Sequence, residues 1–325
     1  MEQEWPERAI DAMERYTGTE PGYRRAHARG VHYDATFTPS ERIRALTTAE
    51  HLCAAAPVPT LVRLSNASGN PHAPDRPDHG RGRATGLAVR FDLPSGGHST
   101  WAAASIPAFP ARNAADFVRL TEAQLPSGRP NLPRLLWYAL THGYARPALG
   151  GLARLKSPES FATNRYNGLH AYYLVAADGT RRAFRYSWIP DAGVVPLSPE
   201  AVRESPPEYL IEEIARRVAT GSVGWRLVFQ LANPDDPTDD VTRQWPEDRE
   251  TIDAGHLALT QLHADQAAAD LLVFDPTNVP TGIEVSADPI LHLRSQVYGE
   301  SYNRRSREER PIRPQGTVGG HNSGT

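Results

Sequence analysis

The sequence predicts an α+β fold: a single domain built on antiparallel strands, with helices around them. Three observations predict it. Proline and glycine are frequent, at 29 and 25 of 325 residues, and such punctuation suits many turns better than a helical bundle. Short runs rich in Val and Leu, with alternating polar residues, recur at 60–64 and 86–91, the pattern of half-buried strands. Ala177-Asp178-Gly179 interrupts two strand-like runs within 169–188 and reads as a hairpin turn.

The elements follow in order. Residues 1–20 form an amphipathic helix, with Ala9, Ile10, Met13 and Tyr16 on one side. Residues 24–38 read as an extended segment ending at Pro39, and a polar loop, 65–85, separates the next two strands. Residues 112–124 and 132–142 read as helices, with Asn113 placed to cap the first. Residues 198–220 hold one or two helices entered at Pro199. A strand at 225–231, a long polar loop at 233–250 and a strand at 268–274 come next. Pro289 starts a helix running to about Tyr298. One domain spans 1–305; the tail 306–325 is basic, then Gly/Ser-rich, and is expected to be disordered at its end.

Composition narrows the function. Hydrophobic content of 39% allows a sizeable core. A net charge of -3 with 22% charged residues argues against a dedicated nucleic-acid or acidic-membrane partner. Cys53 is the sole cysteine, so no internal disulfide forms, and a reducing compartment is the simpler reading. No run approaches the ~20 apolar residues of a membrane span. The expectation is a soluble, cytoplasmic protein.

Twelve histidines invite a metal site, but His27/His32 and His72/His79 have no zinc spacing. Gly80 to Gly86 is glycine-rich, yet it precedes a strand instead of following one, the wrong order for a dinucleotide loop. Arg294 and Tyr298 are one helical turn apart. A guanidinium beside a phenol favours the phenolate, and tyrosinate is a known axial ligand of haem iron. By spacing alone, such a pair more often just packs or solvates a helix face.

Six segments in order resemble the haem catalase superfamily. Arg25-Ala26-His27-Ala28-Arg29-Gly30, with Ala35-Thr36-Phe37, resembles the segment carrying the distal histidine. Val62-Arg63-Leu64-Ser65 resembles its Val-Arg-Phe-Ser motif, and Arg83 to Phe91 its Arg-Gly-Phe-Ala-Val-Lys-Phe strand with one insertion. Ser105-Ile106-Pro107-Ala108-Phe109, continuing to Arg112, is similar to Asn-Thr-Pro-x-Phe-Phe-Ile-Arg. The run from Phe274 to Glu284 nearly repeats Phe-Asp-Pro-Ser-Asn-x-Pro-Pro-Gly-Ile-Glu, and Arg294 to Tyr298 then matches the proximal Arg-x-x-x-Tyr.

The resemblance implies a catalase-like antiparallel β-barrel binding haem b, shortened like the small catalase-related peroxidases. It implies that His27 is the distal base, oriented by Ser65, and that Tyr298 is the iron ligand, steadied by Arg294. Arg24, Arg63 and Arg305 match the arginines that hold the haem propionates; Phe109 and Phe117 match the aromatics of the distal channel. Pro276 would pack on the proximal side. Ala104 stands where catalases carry a distal asparagine, Pro110 where many have a second Phe, and Tyr302 where many have a histidine. These departures favour a peroxidase acting on peroxide with a small organic donor, with weak catalase activity. An organic-hydroperoxide enzyme, similar to allene oxide synthases, is the alternative, and a homo-oligomer stays open.

Overall fold

The structure is a computed structural model that describes residues 4–76, 84–124 and 131–309. The Gly80–Arg83 part of the glycine-rich loop and the tail beyond 309 lie outside the described residues. Helix α1, Trp5–Thr17, leads into β1, Gly30–Pro39; the short α2 is Glu50–Cys53. Then come β2 (Val58–Asn66), β3 (Thr85–Asp92), β4 (His98–Ala104), α3 (Ala114–Glu122), α4 (Leu132–Thr141) and α5 (Arg146–Ala153). The hairpin is β5 (Tyr166–Val175) and β6 (Arg181–Pro190), followed by α6 (Pro199–Glu204), α7 (Tyr209–Thr220) and β7 (Val223–Leu231). The last elements among the described residues are β8 (Thr251–Leu262), α8 (Gln266–Leu271), β9 (Ile283–Val285) and α9 (Pro289–Arg305).

The strands form one antiparallel sheet in the order β4-β3-β2-β1-β8-β7-β6-β5-β9. Pairing of Ala104 with Asn167 joins β4 to β5 and closes eight strands into a barrel. Side chains alternate across each strand. Val62 and Leu64, Leu87, Val89 and Phe91, and Trp101 point inward and join Phe37, Phe184, Trp188 and Phe229 in the main core. Aromatic contacts fill that interior: Phe184 and Phe229 lie 4.3 Å apart by ring centroids, Trp101 and Tyr186 4.6 Å. A barrel of eight strands has room for its own side chains and little else. Any large ligand must therefore sit outside it.

The opposite phase of the same alternation sends Arg63, Ser65, Gly86, Ala88, Ala102 and Ala104 to the outer face. Helices α1, α3 and α9 pack on one another over that face. Their second core holds Ile10, Ile106, Val118, Leu169, Ile290, Leu293 and Val297. The cap expected at Asn113 forms, its side chain accepting from the Asp116 amide, and Ser198 caps the helix entered at Pro199 by accepting from the Ala201 amide. No helix among the described residues is long and apolar enough to cross a membrane.

The structure corrects three expectations. Residues 268–274 are not a strand. Asp265 caps a helix over Gln266–Leu271, because three consecutive alanines behind an N-cap outweigh the apolar pattern of Leu271 to Phe274. Residues 24–29 turn before β1 starts at Gly30, with His27 at φ 51. Helix α9 runs past Tyr298 to Arg305. The sequence reading also assigned nothing to β4, α5 or β8. In β8 the inward set switches from Ala254 to Leu257 and Leu259. A bulge where the pairing with β7 slips resets the phase. Gly255 sits there at φ 149, and a Cβ on it would lie 2.5 Å from the Thr38 carbonyl oxygen.

Candidate active site

Between the barrel wall and the three helices lies a cavity of roughly 340 Å³, within the usual range for small-molecule and cofactor sites. The nine residues assigned catalytic, cofactor-binding or iron-ligand roles from the resemblance all line it: Arg24, His27, Arg63, Ser65, Phe109, Phe117, Arg294, Tyr298 and Arg305.

On the barrel side stands His27. Its Nδ1 lies 2.9 Å from Ser65 Oγ on β2. Arg63 Nη2 donates to the His27 carbonyl at 2.8 Å, and the Ala28 amide donates to Ser68 at 2.8 Å. These bonds hold a non-glycine residue in the left-handed region, a strain characteristic of functional sites. Gly86 provides the space: a Cβ there would come within 2.8 Å of His27 Cε1. Burial, with Arg63, Arg294 and Arg24 adding to it, lowers the imidazole pKa to about 3. The ring is therefore neutral at physiological pH.

On the helix side, Arg294 Nη2 donates to Tyr298 Oη at 2.8 Å, one turn along α9. Burial works against the Arg294 charge, yet Tyr298 and, behind it, Tyr172 and Tyr186 hold its pKa above the ordinary value. The sequence reading missed the next pair. His170 Nδ1 lies 2.8 Å from Asp288 Oδ2, both buried. Asp288 also caps α9 by accepting from the Ile290 amide at 2.8 Å. Burial is the main reason the His170 pKa falls to about 4, and His170 Nε2 is buried without a hydrogen-bond partner. The Asp-Pro cap was visible in sequence; its partner, 118 positions away, carried no local signal.

At one end, three arginines surround Asp270. Arg24 Nη1 is 3.3 Å from its carboxylate and Arg63 Nε 4.0 Å, while Arg305 Nη1 donates to its carbonyl at 2.6 Å. Burial first, then Arg24, lowers the Arg63 pKa well below its ordinary value. Arg63 Nε is buried with no hydrogen-bond partner, so a carboxylate supplied by a ligand would satisfy it. At another wall Phe109 and Phe117 stack with centroids 6.0 Å apart. Ala104 lines the cavity. Ser105 Oγ is turned away to accept the Thr85 amide at 3.0 Å. Pro276 does not line the cavity; its carbonyl accepts from Tyr172 Oη at 3.1 Å.

These residues fit a haem. The walls are apolar, the arginine end carries an unsatisfied buried donor for carboxylates, and a phenol and a neutral imidazole occupy separate walls.

Comparison with known proteins agrees. A catalase-related peroxidase of Mycolicibacterium paratuberculosis (strain ATCC BAA-968 / K-10) is 36% identical over 310 residues, 94% of this chain and 96% of that protein. Another, from Synechococcus elongatus, is 28% identical over 306 residues, 93% and 89% of the two chains. A solved bacterial catalase superposes with a TM-score of 0.77 at 19% identity, over 88% of this chain but 58% of its own length. The chain thus spans less than two thirds of that protein, and the likeness is one of fold. A family model described as catalase matches residues 8–309. The chain belongs to the catalase family.

Proposed function

We propose that this protein is a haem peroxidase that reduces hydrogen peroxide or organic peroxides with electrons from a small organic donor. Catalase-family membership implies haem; the finer reading is haem b, with Tyr298 Oη as the iron ligand. The observation that carries the proposal is one cavity lined by the His27–Ser65 pair, the Arg294–Tyr298 pair and three arginines. When bound, haem supplies the redox centre at which a peroxide O–O bond is cleaved.

The chain's own residues do the rest. With Nδ1–H donating to Ser65 Oγ, the lone pair of His27 sits on Nε2. That nitrogen takes the proton from the near oxygen of the peroxide and returns it to the leaving oxygen. Arg294 stabilises negative charge on Tyr298, a charge-assisted bond of about 1.5–3 kcal/mol. Arg24, Arg63 and Arg305 are the residues that would hold the propionate carboxylates of the haem. Phe109 and Phe117 keep the approach apolar.

Ala104 decides between the two activities of the family. It offers no amide to a second hydrogen peroxide molecule, and losing one such donor costs about 10²–10³ in rate. Disproportionation is therefore weak, and turnover relies on the organic donor. The free cysteine, half-buried Cys53, fits a cytoplasmic setting. Residues 1–305 make the haem domain, with 306–325 as an appended tail.

The test is steady-state turnover of the haem-loaded protein. Hydrogen peroxide with a dye donor should give peroxidase kinetics. Turnover of a fatty-acid hydroperoxide without oxidation of the donor, and none of hydrogen peroxide, would overturn the proposal.

A further inference from the structure

A surface helix of a globular protein normally turns its apolar stripe inward and its polar face to water. Helix α4 does the reverse. Tyr138 and Leu135 anchor it to a small core with Leu120, Ala145 and Leu149. The opposite side carries Leu132, Leu136, Trp137 and Leu140, which are 67%, 63%, 69% and 59% exposed. At 100° per residue these four, with Pro133, form one continuous stripe facing away from the protein. Arg134, in the first turn of α4, lies beside it. Arg146 reaches back to the other end, where its Nε donates to the Ala139 carbonyl at 2.8 Å.

The charges around this stripe are mainly basic. Among the described residues from Ala123 to Pro158 four are basic, Arg134, Arg146, Arg154 and Lys156, and none is acidic. A shallow groove beside Trp137 adds Arg119 and Glu122, and Glu122 is already paired with Arg15 at 3.0 Å. Asp116, beneath, is buried and bonded by Tyr144. The net charge of -3 conceals this local excess.

We propose that α4 docks the protein on the surface of an anionic lipid bilayer. Leu132, Leu136, Trp137 and Leu140 enter the headgroup–acyl boundary, while Arg134 and Arg146 meet lipid phosphates. Apolar residues including Trp, flanked by cations, are what an interfacial helix requires. A second copy of the chain is the poorer occupant. A two-fold interface apposes identical patches, so the arginines of one copy would meet those of the other, with no carboxylate on α4 or α5 to relieve them.

The test is flotation of the full, haem-loaded chain with phosphatidylcholine vesicles containing about one-third phosphatidylglycerol, against phosphatidylcholine alone. The protein should float with the anionic vesicles and do so less at high salt. The double variant Leu136→Ser/Trp137→Ser should float at least about tenfold less, with dye-peroxidase turnover unchanged because neither side chain reaches the cavity. Failure of the parent to float, or equal flotation of the variant, overturns the proposal. A parent that is dimeric by light scattering and does not float, beside a monomeric variant, would assign the face to a second copy. Solution turnover is scored separately, so loss of flotation leaves the peroxidase reading standing.

Discussion

In the proposed role of distal base, His27 must stay neutral to accept a proton and must keep one orientation to deliver it. Burial beside Arg63 secures the first, and Ser65 with the empty space at Gly86 secures the second. Replacing His27 with Ala should leave haem bound and slow the reaction with hydrogen peroxide by about 10²-fold or more; stopped-flow absorbance measures it, and an unchanged rate removes His27 from the chemistry. Ser65→Ala should keep the base but loosen the ring, lowering that rate by about tenfold. Tyr298→Phe removes the oxygen that Arg294 bonds. Its ferric absorption spectrum should change class, or haem should be lost on gel filtration; a spectrum like the parent's would disprove the ligand assignment.

Elements show where sequence reading worked and where it stopped. The hairpin β5–β6 and the Asn113 cap were legible because each depends on a few neighbouring residues: Gly179 at φ 83 in the turn, and an Asn113 side chain accepting from the Asp116 amide. That one cavity gathers the candidate residues follows from motifs the resemblance aligned, which hold His27, Arg63, Ser65, Phe109, Arg294 and Tyr298, while Arg24, Phe117 and Arg305 lie just beyond them. Strand β8 was not, since its alternation changes phase at a bulge that only the pairing with β7 defines. The His170–Asp288 pair was hidden for the same kind of reason: each residue is ordinary until the fold brings them together. The bulge makes a prediction. Gly255→Ala puts a Cβ against the Thr38 carbonyl in a backbone region disfavoured for side chains. It should cost at least about 1 kcal/mol, lowering the melting temperature by about 2 °C or more; an unchanged melting curve would mean the barrel relaxes there freely.

At the scale of the whole molecule, four histidines with lowered pKa values contribute to the response to acid. Burial is the first cause in each case: His27, His32 and His51 are pushed down to about 3 and His170 to about 4. Their unfolded value is about 6.5. Between pH about 6.5 and about 3 the unfolded chain takes up protons that the folded chain refuses, so stability falls as pH falls through that window. Above it the contribution is constant. Each histidine adds at most about 1.4 kcal/mol per pH unit. His51 is the cleanest probe: it lies away from the cavity, between Phe91 and Trp101, with neither ring nitrogen bonded. In urea unfolding between pH 7 and 5, His51→Leu should flatten the pH slope by up to that amount; a parallel curve would show that His51 does not resist protonation in the fold.

The outer wall of the cavity is built from both ends of the domain. Helix α1 and helix α9 are tied by Arg304 to Asp11 and Glu14 at 2.7 and 2.9 Å, and Arg25 bridges Glu14 and Glu308. During synthesis, the barrel strands leave the ribosome before the last helix does. A nascent chain therefore has a barrel wall to fold before α9 is there to close the cavity over it.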